Sequence, residues 1–243
     1  MQKQIRFENI LFLDIETVPQ TYHLSEMDEA TKTLFAKKSR VLADDPSFEE
    51  ALQQAHQDRG GIWAEFGKIV CISVGFISER SGYKQLHIKA FKHDDEETLL
   101  KQFKSLLDDR YNSPYAVLCA HNGKEFDFPY LCRRFLINGI ELPFTLQIAG
   151  KKPWEIPHID TMEMWKFGDY KAYTSLELLC HVFGIPTSKD DISGADVARV
   201  YYEEENGLQR IAEYCNKDVV ALAQLYLKLN GQPLVDEGEI FFK

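Results

Sequence analysis

The chain has 243 residues, of which 44% are hydrophobic and 12% aromatic. This composition excludes a disordered chain and suffices for one large domain or two small ones. A formal net charge of −10 argues against a protein that coats nucleic acid through an extended positive surface. It does not exclude a nucleic-acid enzyme whose bound cations supply positive charge locally.

The sequence predicts a cytoplasmic protein without membrane association. No targeting segment is apparent, and the longest apolar stretch, residues 69–77, is far shorter than a bilayer span. The cysteines are odd in number, lack Cys-x-x-Cys spacing and have apolar neighbours, which indicates buried thiols in a reducing compartment. They are Cys71, Cys119, Cys132, Cys180 and Cys215.

The first predicted element is a central strand that ends in acidic residues. The apolar run at residues 10–13 leads directly into Asp14 and Glu16, a pattern typical of a strand buried on both faces. The polar and charged residues 20–66 then predict a helical insertion, which Pro46 interrupts.

A hairpin and a helix are predicted next. Residues 68–77 and 83–91 predict two strands joined by a turn over residues 78–82, with the second strand at the sheet edge. Asp94 is predicted to cap the helix that follows. The apolar stripe of that helix consists of Leu99, Leu100, Phe103, Leu106 and Leu107.

The second half of the chain predicts one strand and then mainly helices. Residues 117–120 form a short apolar strand, and residues 129–138 predict a helix with proline in its first turn. A capping box at Thr174 and Glu177 predicts a helix that ends at Gly184. A last long helix is predicted from Gly207 to Leu229.

The order of these elements predicts an α/β protein with a mixed sheet of about five strands flanked by helices. Since no Gly-, Ser- or Pro-rich linker divides the chain, we expect a single domain over residues 1–243, with the helical insertion at about 20–66.

Four carboxylates and one tyrosine are candidates for catalysis. Asp14 and Glu16 leave the same face of a buried strand, where a charge is costly unless it is paired. Asp127 precedes a predicted helix, and Asp218 lies one turn after Tyr214 in the last helix. Each position taken alone has an ordinary structural interpretation, as a helix cap or as a pair on a solvated helix face.

Taken together, three segments resemble the motifs of the DEDD superfamily of 3′–5′ exonucleases, tyrosine subclass. Residues 12–17, Phe-Leu-Asp-Ile-Glu-Thr, resemble the first motif. Residues 121–131 resemble the second, Asn-x-x-x-Phe-Asp, in the form found in family B DNA polymerases. Residues 214–218 resemble the third, Tyr-x-x-x-Asp. The chain is most similar to the predicted PolB-like 3′–5′ exonucleases, which implies an RNase H-like fold.

The carboxylates predict a site for hard divalent cations. Four carboxylates that converge repel one another, by roughly 4 kcal/mol for each pair about 4 Å apart. Ligation by carboxylate oxygens alone suits Mg²⁺ or Mn²⁺. Two such ions can clamp a phosphodiester, one activating water and the other stabilising the leaving oxygen.

The resemblance implies a role for each residue. Asp14 would bridge both ions, Glu16 and Asp218 would hold the ion that carries the attacking water, and Asp127 would hold the second ion largely through waters. Tyr214 would orient the water, because an ordinary tyrosine pKa near 10 makes it a poor base at neutral pH.

Three further residues are predicted to bind substrate. Asn122 and Phe126 match motif positions that contact the 3′-terminal nucleotides, and Thr17 belongs to the first motif. Phe126 would stack on a base, although a core aromatic in front of a helix is an equal alternative.

Other polar residues have weaker assignments. Asp160 is interpreted as a structural helix cap, and His181 as a core or surface histidine. His121 and His158 are possible ligands. Several cations could contact phosphates, although a solvated face is the simpler interpretation of each. They are Arg133, Arg134, Lys151, Lys152, Lys166 and Lys171.

The leading hypothesis is a metal-dependent exonuclease that hydrolyses phosphodiester bonds at single-stranded 3′ ends, with DNA favoured over RNA. The alternatives are a non-catalytic nucleic-acid-binding module on the same fold, an exoribonuclease, and a phosphohydrolase of small nucleotides.

Overall fold

The computed structural model describes residues 5–41, 47–80, 82–169, 171–186 and 192–243. Among these residues, none of the helices combines the length and the apolar character needed to cross a membrane. Pro46, predicted to interrupt the insertion, lies outside the described residues.

The centre of the molecule is one mixed sheet with the strand order β5-β4-β1-β2-β3-β6. β1 pairs antiparallel with β2, and β2 antiparallel with β3. β4 is parallel to β1, β5 to β4, and β6 to β3. The strands are β1 Ile10–Pro19, β2 Gly67–Arg80, β3 Tyr83–Lys92, β4 Val117–Ala120, β5 Ile159–Asp160 and β6 Ile240–Phe242.

This arrangement confirms the predicted fold class. An antiparallel β1-β2-β3 meander followed by two strands parallel to β1 is the RNase H-like topology. The described residues contain six strands instead of about five. The additional strand, β6, pairs with β3, so the prediction that β3 forms the sheet edge was wrong.

Eight helices surround this sheet in the described part of the chain. α8 packs against β1, β2 and β3, and α3 packs against β2 and β3. The helices are α1 Glu29–Ser39, α2 Phe48–Arg59, α3 Glu96–Arg110, α4 Asp127–Ile137, α5 Thr161–Lys166, α6 Leu176–Phe183, α7 Val197–Glu203 and α8 Gly207–Leu229.

The alternation of β1 determines which face of the sheet carries the acidic residues. Leu13 and Ile15 belong to the hydrophobic cluster that also contains the α3 and α4 side chains. Phe12 belongs to the cluster with α8 on the opposite face. Because successive side chains of a strand alternate between faces, Asp14 and Glu16 are on the α8 face.

Several predicted boundaries shift by a few residues. β2 extends to Arg80, into the predicted turn, of which residue 81 lies outside the described residues, whereas β3 begins at Tyr83 as predicted. The cap of α3 is Asp95, not Asp94, and its carboxylate accepts a hydrogen bond from the Thr98 amide. α6 is capped in the same way by Ser175, not Thr174. Each correct cap is one residue after the predicted one.

The segment between β1 and β2 contains α1 and α2, which have their own apolar cluster. Phe35 and Leu52 are fully buried there and pack with Phe66. The Tyr130 hydroxyl donates a 2.7 Å hydrogen bond to the Gly61 carbonyl. This bond fastens the end of the segment to α4.

Candidate active site

Asp14 and Glu16 lie in the middle of β1, which is paired between β4 and β2, and not at the strand end that the sequence predicts. In the register with β2, Asp14 is opposite Ser73 and Glu16 is opposite Cys71. The register shifts immediately after Glu16. Glu16 is only 8% exposed. A β-bulge at this point changes the direction of the neighbouring side chains.

A thiol from α8 completes this part of the site. The Cys215 Sγ lies 3.3 Å from Asp14 Oδ2 and donates a hydrogen bond to it. Ligand atoms of Asp14, Glu16 and Cys215 all lie within 4.8 Å of one another. The sequence predicts Cys215 only as a buried core thiol, although its position three residues before Asp218 in the same helix was a signal that it faces the same site.

Asp127 reaches the same region from α4. It is the first residue of that helix and only 3% exposed, and the backbone N–H of Ile15 donates a hydrogen bond to its carboxylate. Burial, together with the charge of Asp160, raises the pKa of Asp127 to about 7. The backbone N–H groups of Asp127 and Ile15 act in the opposite direction. α4 begins two residues earlier than predicted, so Asp127 lies inside its first turn and Phe126 is the cap residue.

α8 contributes Tyr214 and Asp218, whose side chains are hydrogen-bonded to each other. Burial, followed by the charges of Asp218, Glu16 and Asp14, raises the pKa of Tyr214. A tyrosine with a raised pKa keeps its proton at neutral pH, so its hydroxyl remains a hydrogen-bond donor.

The carboxylates act on one another electrostatically. Burial raises the pKa of Asp14 well above its ordinary value, and the charges of Asp127 and Asp218 add to this effect. Burial also raises the pKa of Glu16, with further contributions first from Asp14 and then from Asp218. β1, α4 and α8 therefore direct four carboxylates into one partly buried region, where the neighbouring charges disfavour ionisation of Asp14 and Glu16.

The loop before Asp127 is held by Asp160. Its carboxylate accepts hydrogen bonds from the backbone N–H of Asn122 at 2.9 Å and of Lys124 at 3.1 Å. It also accepts one from the Met162 amide at 2.9 Å, which confirms that Asp160 caps α5. Asn122 has a φ of 60°, a left-handed conformation that asparagine tolerates better than most residues.

Glycine is required at the next position. A Cβ on Gly123 would clash with the Cβ of Ala120 and approach the Phe128 ring to 3.0 Å. The loop therefore turns tightly against the end of β4 and leads the chain directly into α4.

The predicted substrate-binding residues do not all lie together. Phe126 is partly buried against the core, and its ring centre is 5.3 Å from that of Tyr130. The side chain of Thr17 is hydrogen-bonded to the same tyrosine. Asn122 lies at the start of the loop, next to Asp160. Their contacts with nucleotides remain predictions.

The histidines considered as ligands have other surroundings. His121 is hydrogen-bonded through its ring nitrogens to the Thr161 hydroxyl and the Thr174 carbonyl, each at 2.8 Å. His158 is buried between the Leu118 amide and the Thr145 carbonyl. His181 is exposed, and is thus a surface residue.

Arg134 was wrongly grouped with cations of a solvated face. Its side chain is buried and forms an ion pair with Glu96, which is also buried. Such a fully paired group is not available to a phosphate.

The solved structures similar to this chain include that of a family B DNA polymerase from the hyperthermophilic archaeon Pyrobaculum calidifontis. It matches 90% of this chain with 15% sequence identity and a TM-score of 0.48. The chain spans 24% of that polymerase.

A family model also matches, described as a predicted 3′–5′ exonuclease related to the exonuclease domain of PolB. The match covers residues 62–233, which is most of the chain. It includes Asp127, Tyr214 and Asp218 and begins after Asp14 and Glu16. The chain belongs to this family of predicted 3′–5′ exonucleases related to the PolB exonuclease domain.

Proposed function

We propose that this protein is a divalent-metal-dependent 3′–5′ exonuclease of the DEDD type, tyrosine subclass, that acts on single-stranded 3′ ends. DNA is the proposed substrate in preference to RNA, since the family is related to the exonuclease domain of a DNA polymerase. The observation that carries the proposal is the convergence of Asp14, Glu16, Asp127 and Asp218. The charges of Asp127 and Asp218 raise the pKa of Asp14, and those of Asp14 and Asp218 raise the pKa of Glu16.

The residues present fit a pair of hard cations. Like charges are held in a partly buried region, and carboxylate oxygens of Asp14 and Glu16 lie within 4.8 Å of each other and of the Cys215 thiol. Oxygen donors of this kind suit Mg²⁺ and Mn²⁺. Asp14, Glu16, Asp127 and Asp218 would hold the ions, which when bound supply an activated water and charge stabilisation for the phosphodiester.

The remaining residues would position the reacting groups. Tyr214 retains its proton and donates it in a hydrogen bond to Asp218, which restricts the ring, and its hydroxyl oxygen would orient the attacking water by accepting a hydrogen bond from it. Cys215 donates to Asp14 and so fixes the direction of that carboxylate. Asp160 fixes the loop before Asp127 through the Asn122 and Lys124 amides.

The direct test is the stepwise shortening, from its 3′ end, of a 5′-labelled single-stranded oligonucleotide with Mg²⁺ or Mn²⁺. Asp14→Ala and Asp218→Ala should each lower the rate on the order of 10³-fold, because each removes charge stabilisation of the transition state. Asp108→Asn removes an exposed carboxylate on α3 and serves as the matched control with an unchanged rate.

Several outcomes would contradict the proposal. Undiminished shortening by Asp14→Ala is one, and activity that persists in excess EDTA is another. Binding without any degradation would favour the non-catalytic module. Faster turnover of RNA than of a DNA of the same sequence, or of a nucleotide than of an oligonucleotide, would correct the substrate class.

A further inference from the structure

Three large aromatic side chains are exposed in the part of the chain between α4 and α6. Trp154 is 76% exposed, Phe167 88% and Tyr173 62%. They lie on a stretch of about twenty residues, and none of the three belongs to the hydrophobic clusters of the core. Packing of the fold therefore does not explain why these positions are aromatic.

The conformation of Phe167 reinforces this point. Its φ is 44°, a left-handed conformation that is unfavourable for a bulky non-glycine residue. A strained backbone of this kind persists where the surroundings determine it and is frequent at ligand-binding sites. An exposed ring held in this way contributes nothing to the core.

The segment is fastened to the loop that carries Asn122 and Phe126. Lys124 contacts the Pro153 carbonyl, next to Trp154, and pairs with Glu163 at 2.7 Å. Glu125 accepts a hydrogen bond from the Tyr173 hydroxyl at 3.2 Å. It also lies 3.8 Å from the ammonium group of Lys166, the residue before Phe167. Trp154 thus follows a residue that contacts Lys124, Phe167 follows a residue that lies near Glu125, and Tyr173 contacts Glu125 itself.

Lysines accompany the rings. The Lys152 ammonium lies 5.3 Å from the ring centre of Trp154, and that of Lys166 lies 4.2 Å from the ring centre of Tyr173. Lys151 and Lys171 are exposed nearby in sequence. Aromatic faces that stack on bases, alternating with cations that contact the backbone, are the recurrent way in which proteins bind single strands without sequence preference.

We infer that Trp154, Phe167 and Tyr173 form a stacking surface for the single strand upstream of its 3′ end, with Lys151, Lys152 and Lys171 contacting its phosphates. The inference rests on the proposed function, because the position of the 3′ end is taken from the candidate active site. The surface requires unpaired bases and so selects single strands over duplexes.

The test is equilibrium binding of a labelled oligothymidylate of about ten nucleotides, a length suited to such surfaces, measured by fluorescence anisotropy in EDTA. Trp154→Ala and Phe167→Ala should each weaken binding roughly fivefold or more, the effect of losing one stacked base. The unmodified protein should bind a blunt duplex of the same length more weakly than the single strand.

Tyr115→Ala is the matched control, since Tyr115 is 70% exposed but precedes β4, at the opposite end from the Asn122 loop. Its binding should equal that of the unmodified protein. Thermal unfolding of each variant verifies that the fold is retained.

The result separates this inference from the proposed function. Equal binding by the unmodified protein and by both variants would overturn the stacking surface even if the enzyme degrades DNA. Failure of the unmodified protein to bind the oligothymidylate would do the same. Binding that depends on Trp154 and Phe167, without any degradation in Mg²⁺, would support the surface while contradicting the nuclease.

Discussion

Glu96 and the carboxylates on the α8 face differ in what neutralises them. Glu96 is 7% exposed and its partner Arg134 is 4% exposed. The Glu96 carboxylate accepts hydrogen bonds from Arg134 Nε, the Asn138 amide group and the Ile69 backbone N–H, at 2.7–3.1 Å. The chain itself satisfies this charge completely.

Asp14, on the α8 face, has surroundings of a different kind. Asp14 accepts a weak hydrogen bond from the Cys215 thiol, and the strongest charges that act on it come from Asp127 and Asp218. A buried charge surrounded by like charges stores unfavourable free energy. The comparison teaches that one group holds α3, α4 and β2 together, whereas the other is suited to a cation from solution.

Breaking the Glu96–Arg134 pair should have the largest effect on stability. Arg134→Ala leaves the Glu96 carboxylate buried without its ion partner, so the free energy of unfolding should fall by about 3–5 kcal/mol. Urea denaturation measures the change. Arg133→Ala removes the exposed neighbouring arginine and should change stability little. Equal losses in the two variants would mean that Glu96 does not depend on this pair.

The pH dependence of stability tests whether His158, a buried titratable residue, is neutral in the folded protein. Burial lowers the pKa of His158 to about 4, from about 6.5 in the unfolded chain. Between these values the unfolded state binds more protons, so stability is complete above pH 6.5 and falls with decreasing pH until about pH 4. The loss should reach about 3 kcal/mol.

The measurement is urea denaturation as a function of pH, together with NMR titration of the imidazole. His158→Gln should flatten the stability profile over this range. An imidazole that titrates in the native protein near its ordinary pKa would contradict the buried, neutral state.

Cation binding should distinguish the two groups of carboxylates directly. Mg²⁺ or Mn²⁺ that binds only the folded protein should raise the free energy of unfolding by about 2.7 kcal/mol at one hundred times the dissociation constant. Asp14→Asn should abolish this gain, whereas Glu96→Gln should retain it. A gain of the same size in Asp14→Asn would place the cation elsewhere.

The smallest expected effect concerns the repulsion itself. In EDTA at about pH 8, Asp14→Asn should increase the free energy of unfolding by about 1 kcal/mol, because it removes one of several like charges. Thermal unfolding of the variant and the unmodified protein in the same buffer measures it. A decrease would show that the carboxylate is stabilised by the chain alone.

Much of the local structure was predictable because its signals are local. The limits of α8, Gly207–Leu229, and of β4, Val117–Ala120, agree with the predicted ones, since apolar periodicity and short apolar runs depend on neighbouring residues only. β5 and β6 have two and three residues. They exist through pairing with distant strands and left no pattern of their own.

The sequence by itself determined the α/β class, the two carboxylates on one face of β1 and the order of the three acidic segments. Only the tertiary structure decided that Cys215 donates to Asp14, that Arg134 is paired inside the protein, and that Trp154 and Tyr173 flank the Asn122 loop. The reason is physical. Periodicity predicts which face of its helix or strand a side chain lies on, whereas its contact with a residue distant in sequence depends on how the sheet and α8 pack together.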